Sequence, residues 1–108
     1  MSRVCRLDDL VDGQARRFDV DGVPVAVVRV GDDVHAVHDT CSHADVSLSE
    51  GIVWCETLQI ECIRHGSAFN LVTGRPDTLP ATQPVAVYAA SIVDGEVDVD
   101  ITHELNKN

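Results

Sequence analysis

Two short segments constrain this chain more than anything else in it. Cys41-Ser42-His43 and Cys62-Ile63-Arg64-His65 read as Cys-x-His, eighteen intervening residues, then Cys-x-x-His. Each segment offers one thiolate and one imidazole. A fold that uses all four must present two separate loops at one point. On an extended segment residues i and i+2 point to the same side, so Cys41 and His43 can face one centre. A single intervening residue spans one tetrahedral ion awkwardly, since structural zinc sites usually space a ligand pair by two to five residues. Two irons remove the difficulty. One takes both thiolates and the other both imidazoles, each loop giving one ligand to each iron.

That donor set is the one that holds a 2Fe–2S centre in which two histidines replace two cysteines. Charge supports the choice. Two ferric ions and two sulfides carry +2, which two thiolates neutralise, whereas four thiolates would leave −2. Adding an electron to a neutral site is easier, so potentials of such centres lie at roughly −150 to +300 mV against about −400 mV for four-cysteine plant-type ones. The imidazoles also keep an ionisable N–H, so reduction should couple to proton uptake at sufficiently high pH. Zinc held by the same four residues in an interaction module is the competing reading. It requires a colourless protein with one zinc.

The chain has 108 residues, enough for one domain, expected over 1–108. It is 44% hydrophobic, rich in valine, and its punctuation is that of strands. An all-β fold of antiparallel sheets is predicted, with strands over 16–20 and 23–30 around Asp21-Gly22, then 34–38 leading into the first ligand loop. A second hairpin over 51–54 and 58–61 delivers Cys62, and 68–71 follows. A proline-bearing loop spans 76–84, the last strands cover 85–89 and 97–101 around Asp94-Gly95, and 103–108 reads as a frayed tail. Pro24 suggests an edge or a strand start. The ligand loops and the proline loop, about 39–84, form a cluster-binding subdomain on a base of flanking strands.

Eight basic against eighteen acidic residues give a formal charge of −10. Nucleic acid and anionic membrane are therefore not expected partners. No apolar run is long enough to span a bilayer and the first residues do not resemble a signal peptide, so a cytoplasmic location is expected. Cys5 and Cys55 lack a histidine or cysteine at ligand spacing and are not read as ligands. His35 and His38 alternate with apolar residues and read as strand positions, His103 as solvated tail. Trp54 reads as a hairpin packing residue. The alternating acids of 94–100 read as the wet side of an edge strand.

Cys41-Ser42-His43 and Cys62-Ile63-Arg64-His65-Gly66-Ser67-Ala68-Phe69 resemble the Rieske-type ferredoxins of bacterial aromatic-ring-hydroxylating, non-heme iron dioxygenases. Ser47-Leu48-Ser49-Glu50-Gly51 and Thr73-Gly74-Arg75-Pro76 extend the similarity across nearly the whole chain. The resemblance implies three stacked antiparallel sheets with one Rieske 2Fe–2S cluster at the tip of a small subdomain, Cys41 and Cys62 on the inner iron, and His43 and His65 near the surface on the outer one. It implies that the loop containing Pro80 packs over the cluster. Val46 and Arg64 stand where respiratory relatives carry a disulfide, and Phe69 stands where they carry a tyrosine bonded to a ligand sulfur. Fewer hydrogen bonds to sulfur predict a potential near the low end of the range. Ser67 could donate to a bridging sulfide or stabilise the turn after Gly66, and Gly66 supplies a conformation or close approach that a side chain would obstruct.

The implied function is that of a monomeric electron carrier with no turnover of its own. Its donor would be a flavin-dependent reductase and its acceptor a terminal Rieske non-heme iron oxygenase. A Rieske protein attached to an iron–sulfur assembly system is the alternative client. An oxygenase itself is not expected, because the chain lacks a further set of two histidines and a carboxylate and is too short for a catalytic domain.

Overall fold

The computed structural model describes residues 2–40, 47–61, 68–76 and 85–105. Its strands are β1 (Ser2–Arg6), β2 (Ala15–Val20), β3 (Val23–Val30), β4 (Asp33–His38), β5 (Ile52–Trp54), β6 (Gln59–Glu61), β7 (Ala68–Asn70), β8 (Val87–Val93) and β9 (Glu96–Glu104). Every pairing is antiparallel. The all-β expectation holds.

Turn chemistry explains the hairpins. Asp21 and Gly22 both have positive φ, 50° and 85°, and Asp94 and Gly95 have 52° and 75°. Two-residue hairpin turns require this backbone, and Asp-Gly adopts it at little cost. The registers follow, with Val20 opposite Val23 and Val93 opposite Glu96.

Six strands form one sheet in the order β1-β9-β8-β4-β3-β2, and three form another in the order β5-β6-β7. Among the described residues the hydrogen-bonded sheets thus number two, where the resemblance implied three. The reason is a narrow seam, Ala36 opposite Tyr88 and Val37 opposite Val87, that joins β4 to β8. The large sheet then curls until β1 and β2, its outer strands, lie against each other. A shallow cleft lined by Arg3, Val4, Phe18, Asp19, Val20 and Asp21 marks that line.

Curling produces two cores. Val25, Val27, Ala36, Tyr88, Val97 and Val99 fill the inside of the curl. Ala26, Val28, Val37, Leu48, Ile60, Phe69, Leu71, Val85 and Val87 lie between its outer face and the small sheet. β3 is therefore buried on both faces, and this is why it reads as an unbroken apolar run instead of an alternating one. Pro24 sits at its start and not at a sheet edge.

Three expectations are corrected. β9 is an interior strand, because β1 covers it: Arg3 stands opposite Asp98 and its guanidinium meets Glu96 at 2.5 Å and Asp98 at 3.4 Å. Glu96 and Asp98 stand opposite Arg6 and Arg3 and are cross-strand partners of arginine, not a wet edge. The 103–108 tail does not begin at 103, since β9 runs to Glu104 and the Leu105 N–H donates to the Val87 carbonyl at 2.7 Å. The strand expected over 85–89 starts at Val87 and continues to Val93, because Ala89 to Val93 find partners on β9, while the Val85 N–H goes to the Gly74 carbonyl at 2.9 Å.

Candidate metal centre

Cys41, His43, Cys62 and His65 lie outside the described residues, as do Gly66, Ser67 and Pro80. What the structure fixes is where their segments begin and end. Segment 41–46 is bracketed by Thr40 and Ser47, which form a bridge across its ends. Segment 62–67 is bracketed by Glu61 and Ala68, paired partners on β6 and β7. Segment 77–84 leaves from Pro76, which bridges to Phe69, and returns at Val85, bonded to Gly74.

These three mouths adjoin. Phe69 follows Ala68 directly and carries the Pro76 bridge. The return of the first loop, a short 3-10 turn over Leu48–Glu50 ending at Gly51, presses on the end of β6. A Cβ built on Gly51 would lie 1.8 Å from the Glu61 carbonyl oxygen and 3.1 Å from that of Leu48. Only glycine permits the backbone of one loop to approach so near the residue that precedes Cys62.

The base of the first loop is tied by Asp39, a residue that reading the sequence assigned no role. Its side chain is 1% exposed. Oδ1 accepts from the Ser49 N–H at 2.9 Å, Oδ2 accepts from the Ser47 hydroxyl, and the Arg17 Nε lies 3.8 Å from Oδ2. Its own N–H donates to the Pro24 carbonyl at 3.0 Å and its carbonyl accepts from Leu48 at 2.5 Å. The available signal was an acid two positions before Cys41, followed by serines at 47 and 49.

His35 and His38 fall on β4, as expected of strand residues. The His38 Nδ1 accepts from the Thr40 N–H at 3.3 Å. Burial holds the His35 imidazole below the ordinary 6.5, and Asp33 opposes the shift. Burial and Asp9 push the Cys5 thiol up against an opposing pull from Arg16, so it stays a protonated, inert thiol and not a ligand thiolate. Cys55 is exposed and likewise unpaired. Trp54 is 49% exposed rather than packed inside its hairpin, and its indole N–H donates to Glu61 at 3.3 Å.

Among the described residues no group of three or more His, Cys, Asp or Glu side chains could hold a metal ion. The thiols and imidazoles of the two bracketed loops supply the donor chemistry a 2Fe–2S group needs: two anionic sulfurs to neutralise it and two nitrogens to raise its potential. Phe69, fully buried on β7, has no hydroxyl to offer a sulfur.

Comparison with known proteins agrees with the geometry. The family described as Rieske [2Fe-2S] domain matches residues 1–89. Ferredoxin CarAc of Metapseudomonas resinovorans is 44% identical over 98 residues, covering 90% of each chain. The ferredoxin of carbazole 1,9a-dioxygenase from Nocardioides aromaticivorans IC177 superposes with a TM-score of 0.88 at 43% identity, over 91% of this chain and 94% of its own. A ferredoxin bound to its oxygenase, in a complex of reduced oxygenase and oxidized ferredoxin of carbazole 1,9a-dioxygenase, gives 0.84 at 43% identity over 91% and 90%. The chain belongs to the Rieske [2Fe-2S] domain family.

Proposed function

We propose that this protein is a ferredoxin, a one-electron carrier between an NAD(P)H-dependent flavin reductase and the terminal oxygenase of an aromatic-ring-hydroxylating dioxygenase. The observation that carries this is the close backbone approach of Gly51, which follows the first ligand segment, to Glu61, which precedes the second, in a chain similar along nine-tenths of its length to dioxygenase ferredoxins. In this reading 1–108 is one domain and 39–84 its cluster-bearing part. Cys41 and Cys62 hold one iron, and His43 and His65 the other. The chemistry that the 2Fe–2S group supplies when bound is one-electron transfer.

The protein's own residues do the rest. Asp39 and the Thr40–Ser47 bridge hold the stem of the first loop, and the Glu61–Ala68 pair holds that of the second. Gly66, Ser67, Phe69 and Pro80 surround the ligands, and an apolar Phe69 leaves the sulfurs with fewer donors and the potential low. His43 and His65 present the N–H groups through which the electron leaves and a proton is held. The carrier performs no catalysis itself. It works as a monomer in the cytoplasm, consistent with the unpaired thiols of Cys5 and Cys55. No helix of the described residues is long and apolar enough to cross a membrane.

The test is reconstitution. Purified protein should be red-brown, contain two irons and two sulfides, and support NADH-dependent oxidation of an aromatic substrate when mixed with a flavin reductase and a carbazole-type oxygenase. Replacing His43 or His65 by alanine should abolish the Rieske EPR signal. A colourless protein with one zinc would sink the cluster reading, and an intact cluster that no ring-hydroxylating oxygenase accepts electrons from would sink the choice of client.

A further inference from the structure

We propose that Asp39 and Arg17 form a charge couple that sets the reduction potential of the centre, with Asp39 opposing reduction and Arg17 partly cancelling it. The inference rests on the ligand set proposed above. Asp39 is 1% exposed, and burying a carboxylate is expensive unless donors and a cation satisfy it. Here the donors are the Ser47 hydroxyl and the Ser49 N–H, and the cation is Arg17 at 3.8 Å. Arg17 is itself 53% exposed and shared with Asp19 at 3.3 Å, so it balances Asp39 incompletely.

Hydrogen bonding alone does not need the charge. An asparagine amide oxygen can accept from the Ser49 N–H, and its amide nitrogen can donate to the Ser47 hydroxyl, which accepts as readily as it donates. The negative charge is therefore separable from the hydrogen-bond pattern of the stem. Two residues along the chain is Cys41, at most about 7 Å of backbone away. The group that Cys41 helps to hold passes from neutral to −1 on reduction. A buried neighbouring carboxylate repels that added charge and is weakly screened by salt. Arg17 acts with opposite sign, more weakly because it faces solvent.

The experiment is film voltammetry with EPR on the holoprotein and on Asp39→Asn, Arg17→Gln and Ser47→Ala. Asp39→Asn should raise the reduction equilibrium constant about tenfold, which for one electron is about 59 mV. Arg17→Gln should lower it by a smaller factor. Ser47→Ala keeps the charge while removing a donor, and should not raise it. Rieske EPR spectra should persist throughout. Potentials unmoved by both charge variants, or moved the same way by both, overturn the inference, as does a rise in Ser47→Ala matching that of Asp39→Asn. Should Asp39→Asn fail to assemble, Arg17→Gln decides: an unchanged or raised potential refutes the couple. A wild-type protein without a Rieske signal fails the ligand assignment instead, which separates the two failures.

Discussion

Gly51 lacks a side chain because the Glu61 carbonyl occupies the place where one would sit. Its φ of −84° is open to any residue, so the constraint is contact and not backbone strain. Gly51→Ala must push two backbones apart at the point where the first ligand loop returns and the second begins. Overpacking of this kind costs about 1–3 kcal/mol. The expected result is a lower urea midpoint and faster loss of iron to a chelator; an unfolding free energy within about 0.5 kcal/mol of wild type would mean the contact relaxes freely. His35 makes a prediction of opposite chemistry. Its folded pKa lies below the unfolded 6.5, so the unfolded chain takes up its proton first as pH falls. The stability this burial contributes is whole above about pH 6.5 and is lost as pH falls through the folded value. His35→Gln should flatten the decline of unfolding free energy in that window. An identical slope in the variant would assign the decline to other groups.

At the scale of strands, β9 is longer than its sequence suggests, and the excess is structural. Glu104 stands opposite Tyr88, and Leu105 donates to Val87. Tyr88 is buried, and burial together with Glu104 raises its phenol pKa. Ending the chain after Ile101 should remove these bonds and uncover Tyr88, at a cost of about 1–3 kcal/mol given roughly 0.5–1.5 kcal/mol per net hydrogen bond. Denaturant unfolding of the shortened chain measures it, and an unchanged midpoint would show that the extension contributes nothing. The same strand shows what sequence conveys and what it withholds. Asp21-Gly22 and Asp94-Gly95 announced their turns because that backbone has few other solutions. Alternating Val97, Val99 and Ile101 announced a strand. Neither could announce that Arg3 crosses 95 positions of sequence to Asp98, making an apparent edge an interior strand. Thr102-His103-Glu104 carries no apolar alternation to announce the pairing of Glu104 with Tyr88, which lies across a register shift.

For the molecule as a whole, the family was legible because metal chemistry restricts residue type and spacing, whereas Asp39 was not, because an aspartate before a loop is ordinary until Ser47, Ser49 and Arg17 are seen to converge on it. Charge operates at this largest scale. A formal charge of −10 gives the molecule a field that attracts a basic docking surface and speeds encounter. Raising ionic strength from about 0.01 to about 1 M shortens the Debye length from about 30 to about 3 Å. The second-order rate of electron transfer to a terminal oxygenase, followed by stopped flow, should then fall about tenfold or more. Location should matter as well. Glu50 is exposed on the turn that closes the first ligand loop, whereas Asp94 sits at the far end of β8, about 20 Å along the strand from the Val37–Val87 pair at ~3.3 Å per residue. Glu50→Gln should slow the reaction several-fold at low salt, and Asp94→Asn should leave it nearly unchanged. Equal effects would mean that net charge alone steers the encounter, and a rate indifferent to salt would mean that docking does not use the acidic surface.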